Sequence, residues 1–291
     1  MKEPLTGIPE ALAVSWGIKG VEPVADTRTS LVHRVWLGDG SSAIVKRLKP
    51  AGLHELSGID FLDWRDGEGC VRLLARQHSI CLLEDVGSVT LTSYRRLHGE
   101  EASNRVIVSI VEKLHSPSPL SPPGSLLPLR RHFRALLEHP PVADEQLSHT
   151  LAFCASLAEE LLAAQIDARP LHGDLHHDNI ISGATAGWLA IDPQGLVGDP
   201  AYDVANIFGN PNGAFTDIVD PRRISNLVDL FAATLGCSRR KVLRHAIAHA
   251  GLSICWSLED DDGISPGSDA AERFEFIKVA LPMEEELDVS S

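Results

Sequence analysis

The stretch His172-Gly173-Asp174-Leu175-His176-His177-Asp178-Asn179 sets a carboxylate and, five residues on, a carboxamide in one short polar segment. The pair suits phosphoryl transfer. That chemistry needs a group to accept or orient the proton of an attacking hydroxyl, and oxygens to hold a divalent cation beside the phosphates. Asp174 fits the first task; the carboxamide oxygen of Asn179 fits the second, because Mg²⁺ prefers hard oxygen ligands. Taken alone, the octapeptide is open to a blander reading as a polar loop with incidental Asp and Asn. A second piece weighs against that. Trp188-Leu189-Ala190-Ile191-Asp192-Pro193 ends a short apolar strand on an aspartate, and a hairpin from Asn179 to Asp192 brings both oxygens to one side of a cleft.

The third piece is Lys46. In Ala43-Ile44-Val45-Lys46-Arg47-Leu48, strand alternation puts it on the face of Ile44 and Leu48. An ammonium on an apolar face is costly to bury without a partner, so it either snorkels to the strand edge or meets anions. The second option makes Lys46 a phosphate-binding lysine with Ile44 against the adenine of a nucleotide. It also asks for a carboxylate on the following helix, where Glu55 is the first choice and Asp60 the reserve.

The elements that must carry these groups divide into two kinds. Up to Gly87 the chain reads mainly as strands: Leu31–Leu37 and Ala43–Leu48 flank Gly38-Asp39-Gly40-Ser41 as a hairpin, and Val71–Ala75 and Ser79–Leu83 flank a turn at Arg76-Gln77-His78. A short helix is predicted over His54–Trp64. Beyond Gly87 helical spacing takes over. It runs through Val106, Ile107, Ile110, Val111 and Leu114, then Leu147 to Leu162, Arg222–Leu235, Arg239–Trp256 and Asp269–Leu281. Prolines 117, 119, 122 and 123 make a loop of the segment between the first two. Pro170 to Trp188 reads as loop and short strands. The expected fold is therefore α+β and bilobal, with a β-rich N-lobe at 1–87, a helical C-lobe at 88–291 and a cleft between.

Composition narrows the partners. With 26 basic against 40 acidic side chains the formal charge is −14, which repels nucleic acid and anionic membrane and attracts cations. Hydrophobic content of 44% without an apolar run of membrane-spanning length points to a globular chain rather than a membrane span. Five cysteines, an odd number without a C-x-x-C pair, argue against a disulfide framework and a structural zinc site. Met1 to Glu10 has no apolar run of signal-peptide length, so a cytoplasmic protein is expected.

Together these residues resemble the aminoglycoside phosphotransferase family, and within it the streptomycin 6-kinase and hydroxyurea phosphotransferase branch. The likeness covers Ala25-Asp26-Thr27 through Arg72-Leu73-Leu74 and resumes at Leu171–Asn179. It continues through Ile191-Asp192-Pro193-Gln194-Gly195-Leu196-Val197-Gly198-Asp199-Pro200, with Asp220–Ile224 and Leu252-Ser253 with Trp256 as further points. The resemblance implies a two-lobed protein-kinase-like fold and ATP-dependent O-phosphorylation of streptomycin or a similar hydroxylated, cationic small molecule, with hydroxyurea or an amino alcohol as the alternative acceptor and GTP an open alternative to ATP. It makes Asp174 the catalytic base, Asn179 and Asp192 the Mg²⁺ ligands, and Lys46 with Glu55 the pair that sets the phosphates. It makes Glu84-Asp85-Val86 the hinge whose backbone meets adenine, and Asp203 a carboxylate that braces the catalytic loop. One departure stands out: there is no G-x-G-x-x-G, and Asp26-Thr27-Arg28-Thr29-Ser30 occupies that turn. Backbone amides and the Thr29 or Ser30 hydroxyls are the expected phosphate cradle.

Competing readings are weaker. His172 is expected to pack behind the loop rather than bind zinc with His176 and His177. Ser182, Ser253 and Ser257 lack a context for hydrolase chemistry. A protein-kinase role is disfavoured by the missing A-P-E segment, and a nucleotide-binding pseudokinase module has no need of Asp174. The run Glu259-Asp260-Asp261-Asp262, with Trp256 before it, is a candidate wall for a guanidinium-bearing acceptor and equally a solvated acidic loop.

Overall fold

The computed structural model describes residues 8–183, 187–259 and 264–289. Among these, strands β1 (Ile18–Asp26), β2 (Ser30–Leu37), β3 (Ser42–Leu48), β4 (Leu73–Gln77) and β5 (Ile80–Glu84) form one antiparallel sheet in the order β1-β2-β3-β5-β4. The expected hairpin is β2–β3. Its turn is held by Asp39, whose Oδ1 accepts from the Ser41 amide at 2.9 Å and the Ser41 hydroxyl at 2.6 Å. Pleating sends Val35, Ala43 and Val45 to one face, against Leu12 of the short helix α1 (Glu10–Ser15). Ile44 and Leu48 join the main core on the other face, with Lys46 beside them.

The structure redraws two of the expected boundaries and adds a strand. The turn between β4 and β5 lies at His78-Ser79, because His78 takes the left-handed conformation (φ 53°) that closes it. The predicted 54–64 helix begins as a 3₁₀ segment, Pro50–Glu55, and becomes α2 at Leu56–Arg65. Pro50 starts the first, and Asp66, left-handed at φ 45°, ends the second. Strand β1 was unread because Gly20, Pro23 and the exposed Lys19 and Glu22 break its alternation, as an edge strand allows.

The rest is mostly helical. After β6 (Val89–Thr90) come α3 (Leu91–His98) and α4 (Glu100–Leu114). The proline-rich loop follows, anchored where the Trp64 indole donates to Leu120 O at 3.0 Å. It leads to β7 (Leu127–Pro128), the single turns α5 (Leu129–His132) and α6 (Arg134–Leu137), and α7 (Glu145–Ala163), N-capped by Asp144. The last helices are α8 (Phe215–Ile218), α9 (Pro221–Leu235, capped by Asp220), α10 (Arg239–Glu259) and α11 (Asp269–Val289). Buried from Val242 to Cys255, α10 is the axle of this half and packs on α6, α7, α9 and α11. Each large apolar side chain buried there contributes roughly 1.5–3 kcal/mol. No described helix is long and apolar enough to cross a membrane.

Between α7 and α8 runs the polar segment. It comprises β8 (Arg169–Leu171), a 3₁₀ turn His177–Asn179, the antiparallel hairpin β9 (Ile180–Gly183) and β10 (Gly187–Ala190), and β11 (Leu196–Gly198). Strand β11 lies between β7 and β8, and the hairpin leans on β6. Backbone bonds Val71 N to Ala190 O and Ala190 N to Gly69 O, both 3.0 Å, stitch the hairpin to the entry of β4.

Candidate active site

The loop after β8 is fixed from behind. Asp203 is 1% exposed; its Oδ1 accepts from the Gly173 amide at 2.7 Å and its Oδ2 from the His172 amide at 3.1 Å. His172 is buried under this bracing. Its Nδ1 accepts from the Asp174 amide at 3.3 Å and its Nε2 lies 2.9 Å from Ile191 O, so the neutral Nε2–H tautomer satisfies both. Burial keeps the ring neutral, holding its pKa below the ordinary value. The same loop reaches the next segment, since His172 O accepts from Gln194 N at 2.7 Å and Asn179 O from Ile191 N at 2.8 Å.

With the loop held, Asp174 and Asn179 face each other. Asn179 Nδ2 donates to Asp174 O at 2.9 Å and to Asp174 Oδ2 at 3.1 Å. The other carboxylate oxygen, Oδ1, accepts from Asn206 Nδ2 at 2.9 Å. Burial raises the Asp174 pKa above its ordinary value, against the lowering effects of His176, His172 and the Asn206 hydrogen bond. Two neutral amides thus hold this carboxylate, with His176 Nε2 3.9 Å from Oδ2.

Opposite stands Lys46, its Nζ 2.8 Å from Glu55 Oε2 and 3.1 Å from Asp192 Oδ1. Burial alone pushes the ammonium pKa down, but Asp192 and Glu55 outweigh it and the pKa is raised. The reserve, Asp60, is taken up by Arg76 and Ser125. The pair is possible because α2 packs directly on the segment after Asp192. A Cβ on Gly58 would lie 1.7 Å from Pro193 O, and one on Gly195 would lie 2.1 Å from Ser57 O. Only glycine admits that approach. Asp192 itself is left-handed at φ 55°, uncommon outside glycine and a local strain at this position.

The donor set suits a divalent cation. Both bonds of Asn179 to Asp174 use Nδ2, which leaves its carbonyl oxygen for another partner, and Asp192 remains 46% exposed beyond its contact with Lys46.

The remaining expected residues are spread more widely. Ile44 is half-buried on the cleft face of β3, paired with Leu83, and Val86 is buried. Glu84 is engaged with Arg72, its amide donating to Arg72 O at 2.9 Å and its Oε2 accepting from Arg72 N at 3.2 Å. Asp85 is anchored by Arg34 at 2.8 Å. The turn before β2, where the phosphate cradle is expected, is organised by Thr27. Thr27 Oγ1 accepts from the amides of Thr29 (3.3 Å) and Ser30 (3.0 Å), and the buried Ser30 hydroxyl sits 3.3 Å from the same oxygen. In this conformation the turn satisfies itself. Trp256 packs its ring on His132 and His249, and Glu259 is exposed at the end of α10; neither makes a hydrogen bond or ion pair with the cleft residues. Asp260 lies outside the described residues.

Sequence reasoning missed Asn206, Asn210, Arg273 and His115, whose Nε2 lies 3.1 Å from Asp203 Oδ2. They come from three separate parts of the chain, with no short spacing to betray them.

A strand-rich part, a helical part and a carboxylate-carboxamide loop facing Lys46 and its two carboxylates define a protein-kinase-like phosphotransferase fold. Residues 15–262 match the model of the aminoglycoside/hydroxyurea antibiotic resistance kinase family, and the chain belongs to that family. It is 36% identical over 215 residues to a streptomycin 3''-kinase of Klebsiella pneumoniae, covering 71% of this chain and 77% of that one. It is 31% identical over 268 residues to a streptomycin 6-kinase of Streptomyces griseus, covering 88% and 85%. Among solved structures, the aminoglycoside phosphotransferase APH(4)-Ia in ternary complex with ADP and hygromycin B shares the fold at a TM-score of 0.61 and 15% identity, covering 95% and 98%.

Proposed function

We propose that this kinase-family protein is an ATP-dependent O-phosphotransferase acting on streptomycin or a similar hydroxylated, cationic aminoglycoside. Its role would be antibiotic resistance or detoxification in the cytoplasm. The observation that carries the reading is Asp174, its carboxylate held by Asn179 and Asn206 within the loop that faces Lys46, Glu55 and Asp192. Two streptomycin kinases among its relatives and the net charge of −14 support a cationic acceptor.

In this reading the lobes meet at about Gly87, with Ile44 and the Glu84–Val86 hinge beside the adenine. Lys46, oriented by Glu55, neutralises phosphate charge. Asn179 and Asp192 would hold Mg²⁺, which when bound offsets charge on the β- and γ-phosphates. Asp174 accepts or orients the acceptor hydroxyl's proton; the hydroxyl oxygen bonds to the γ-phosphorus as the phosphorus–oxygen bond to the nucleoside diphosphate breaks. Asp203 and His172 hold the loop still meanwhile. A second reading, hydroxyurea as acceptor, draws on the family's name. A coupled ADP-release screen against streptomycin, other aminoglycosides and hydroxyurea decides between them. ADP release with streptomycin or another aminoglycoside supports the first reading; release with hydroxyurea alone selects the second, and release with none overturns both.

A further inference from the structure

The Asp174 carboxylate is not held by its own loop alone. Its Oδ1 accepts from Asn206 Nδ2 at 2.9 Å, and Asn206 belongs to a separate 3₁₀ segment, Ala205–Gly209. An amide's oxygen and nitrogen are nearly the same shape, so the partners decide which end faces which way. Here they decide firmly. Asn206 Oδ1 accepts from Arg273 Nη2 at 3.0 Å and from Asn210 Nδ2 at 2.9 Å, and Asn210 Nδ2 also donates to Asn206 O at 2.8 Å. Turning the amide over would set its NH₂ against two donors and its oxygen against a carboxylate.

The frame around Asn206 is clamped from two helices. Arg273, on α11, is buried and lies across Gly209 so closely that a Cβ there would be 1.1 Å from its Nη1. From α9, Arg223 donates to Phe208 O at 3.1 Å and to Asn210 O at 2.7 Å. Each Asp174 oxygen therefore has one amide donor, Asn179 on Oδ2 and Asn206 on Oδ1, and the plane of the carboxylate is defined from both sides.

We propose that Asn206, its amide oriented by Arg273 and Asn210, is a positioning residue that sets the rotation of the Asp174 carboxylate toward the acceptor. This rests on Asp174 being the base. A group in van der Waals contact with the reacting oxygen loses effectiveness steeply when it swings. Misplacement by about 1 Å is enough to lower turnover on the order of 10²-fold.

The test compares Asn206→Asp, Arg273→Met, Arg273→Lys, the double variant Asn206→Asp/Arg273→Met and Asp174→Asn. Asn206→Asp is isosteric and keeps an acceptor for Arg273, but it sets a second carboxylate about where the donor to Asp174 stood, 2.9 Å away, so its kcat is read across pH and compared on the high-pH plateau where both carboxylates are ionised. Turnover is read as ADP release with Mg²⁺–ATP, with streptomycin as acceptor and in parallel with water alone. Nucleotide affinity comes from calorimetry and integrity from thermal melting. The expected result is a fall in kcat of about 10-fold or more for Asn206→Asp and Arg273→Met, with acceptor KM and nucleotide Kd within about two-fold. Arg273→Lys, which keeps a donor to Oδ1, recovers most of the loss. The double variant is no worse than either single one, because both act through the same amide. Wild-type kcat in Asn206→Asp, alongside a dead Asp174→Asn, overturns the proposal and leaves the base reading standing. Fully additive losses, or losses appearing only in nucleotide Kd or melting temperature, also overturn it. Near-normal turnover in Asp174→Asn removes the base reading itself, and the proposal with it.

Discussion

Asp203→Asn isolates the bracing of the loop from its chemistry. The wild-type carboxylate accepts two backbone amides on two different oxygens, Gly173 on Oδ1 at 2.7 Å and His172 on Oδ2 at 3.1 Å, at a site only 1% exposed. An amide of the same shape offers one acceptor and one donor, so whichever way it turns, one buried N–H faces an NH₂. An unmade buried donor costs roughly 1–3 kcal/mol. Loss of charge assistance at the surviving bond adds about 1 kcal/mol more. The sum is on the order of 2–4 kcal/mol, or roughly 3–7 °C in melting temperature for a chain of this size. The same two amides frame Asp174, so kcat falls as well. Thermal melting at neutral pH, paired with ADP-release kinetics, measures both. A midpoint within about 1 °C of wild type, with kcat unchanged, would refute the reasoning, since it would mean the two amides find other partners.

Three further outcomes are expected. Asp174→Asn lowers kcat by about 10²-fold or more while nucleotide binding is largely kept; near-wild-type turnover on any accepted substrate removes Asp174 as the base. Asp192→Ala weakens Mg²⁺–nucleotide binding itself, checked by calorimetry, and unchanged affinity moves the metal site elsewhere. His132→Phe flattens acid destabilisation. Burial holds the His132 pKa at about 4 against an ordinary 6.5, so the unfolded chain takes the proton first; stability present above pH 6.5 is lost as pH falls toward 4. Melting curves across that window should show a shallower slope in the variant, with His245, also held at about 4, supplying part of what remains.

Much of the N-terminal half was legible because its signals are local. The β2–β3 hairpin follows from Asp39-Gly40 and two alternating runs, and alternation alone puts Lys46 with Ile44 and Leu48. The pairing of Lys46 with Glu55 was readable because a helix follows the strand at short range. What escaped is non-local. Asn206 meets Asp174 across 32 residues and Arg273 across 67, so neither contact leaves a spacing in the chain. The helix α3 also went unread, as its arginines and histidine dilute the apolar spacing; Thr90 caps it by accepting from Ser93 N at 3.2 Å. The turn over Asp26–Ser30 was harder to read without a glycine pattern; Thr27 Oγ1, which accepts from the Thr29 and Ser30 amides, organises it.

The two carboxylates on Lys46 are not equivalent, and the difference bears on how the cleft works. Glu55 is 13% exposed and sits at the foot of α2, which the glycine contacts at Gly58 and Gly195 lock onto the 193–195 segment. Asp192 is 46% exposed, strained at φ 55° and attached to the end of a short hairpin. Attraction between charges weakens with exposure, so the Glu55 contact is the stronger anchor and the Asp192 contact the more exchangeable one. Lys46 is thereby kept in place by a partner that has no call on a metal. Asp192 is free to turn its carboxylate to a different cation without releasing the lysine. The same division recurs across the cleft, where Asn179 spends its nitrogen on Asp174 and keeps its oxygen. In both cases one group holds the frame and a neighbouring one stays exchangeable or open, as the proposed Mg²⁺–nucleotide site would require.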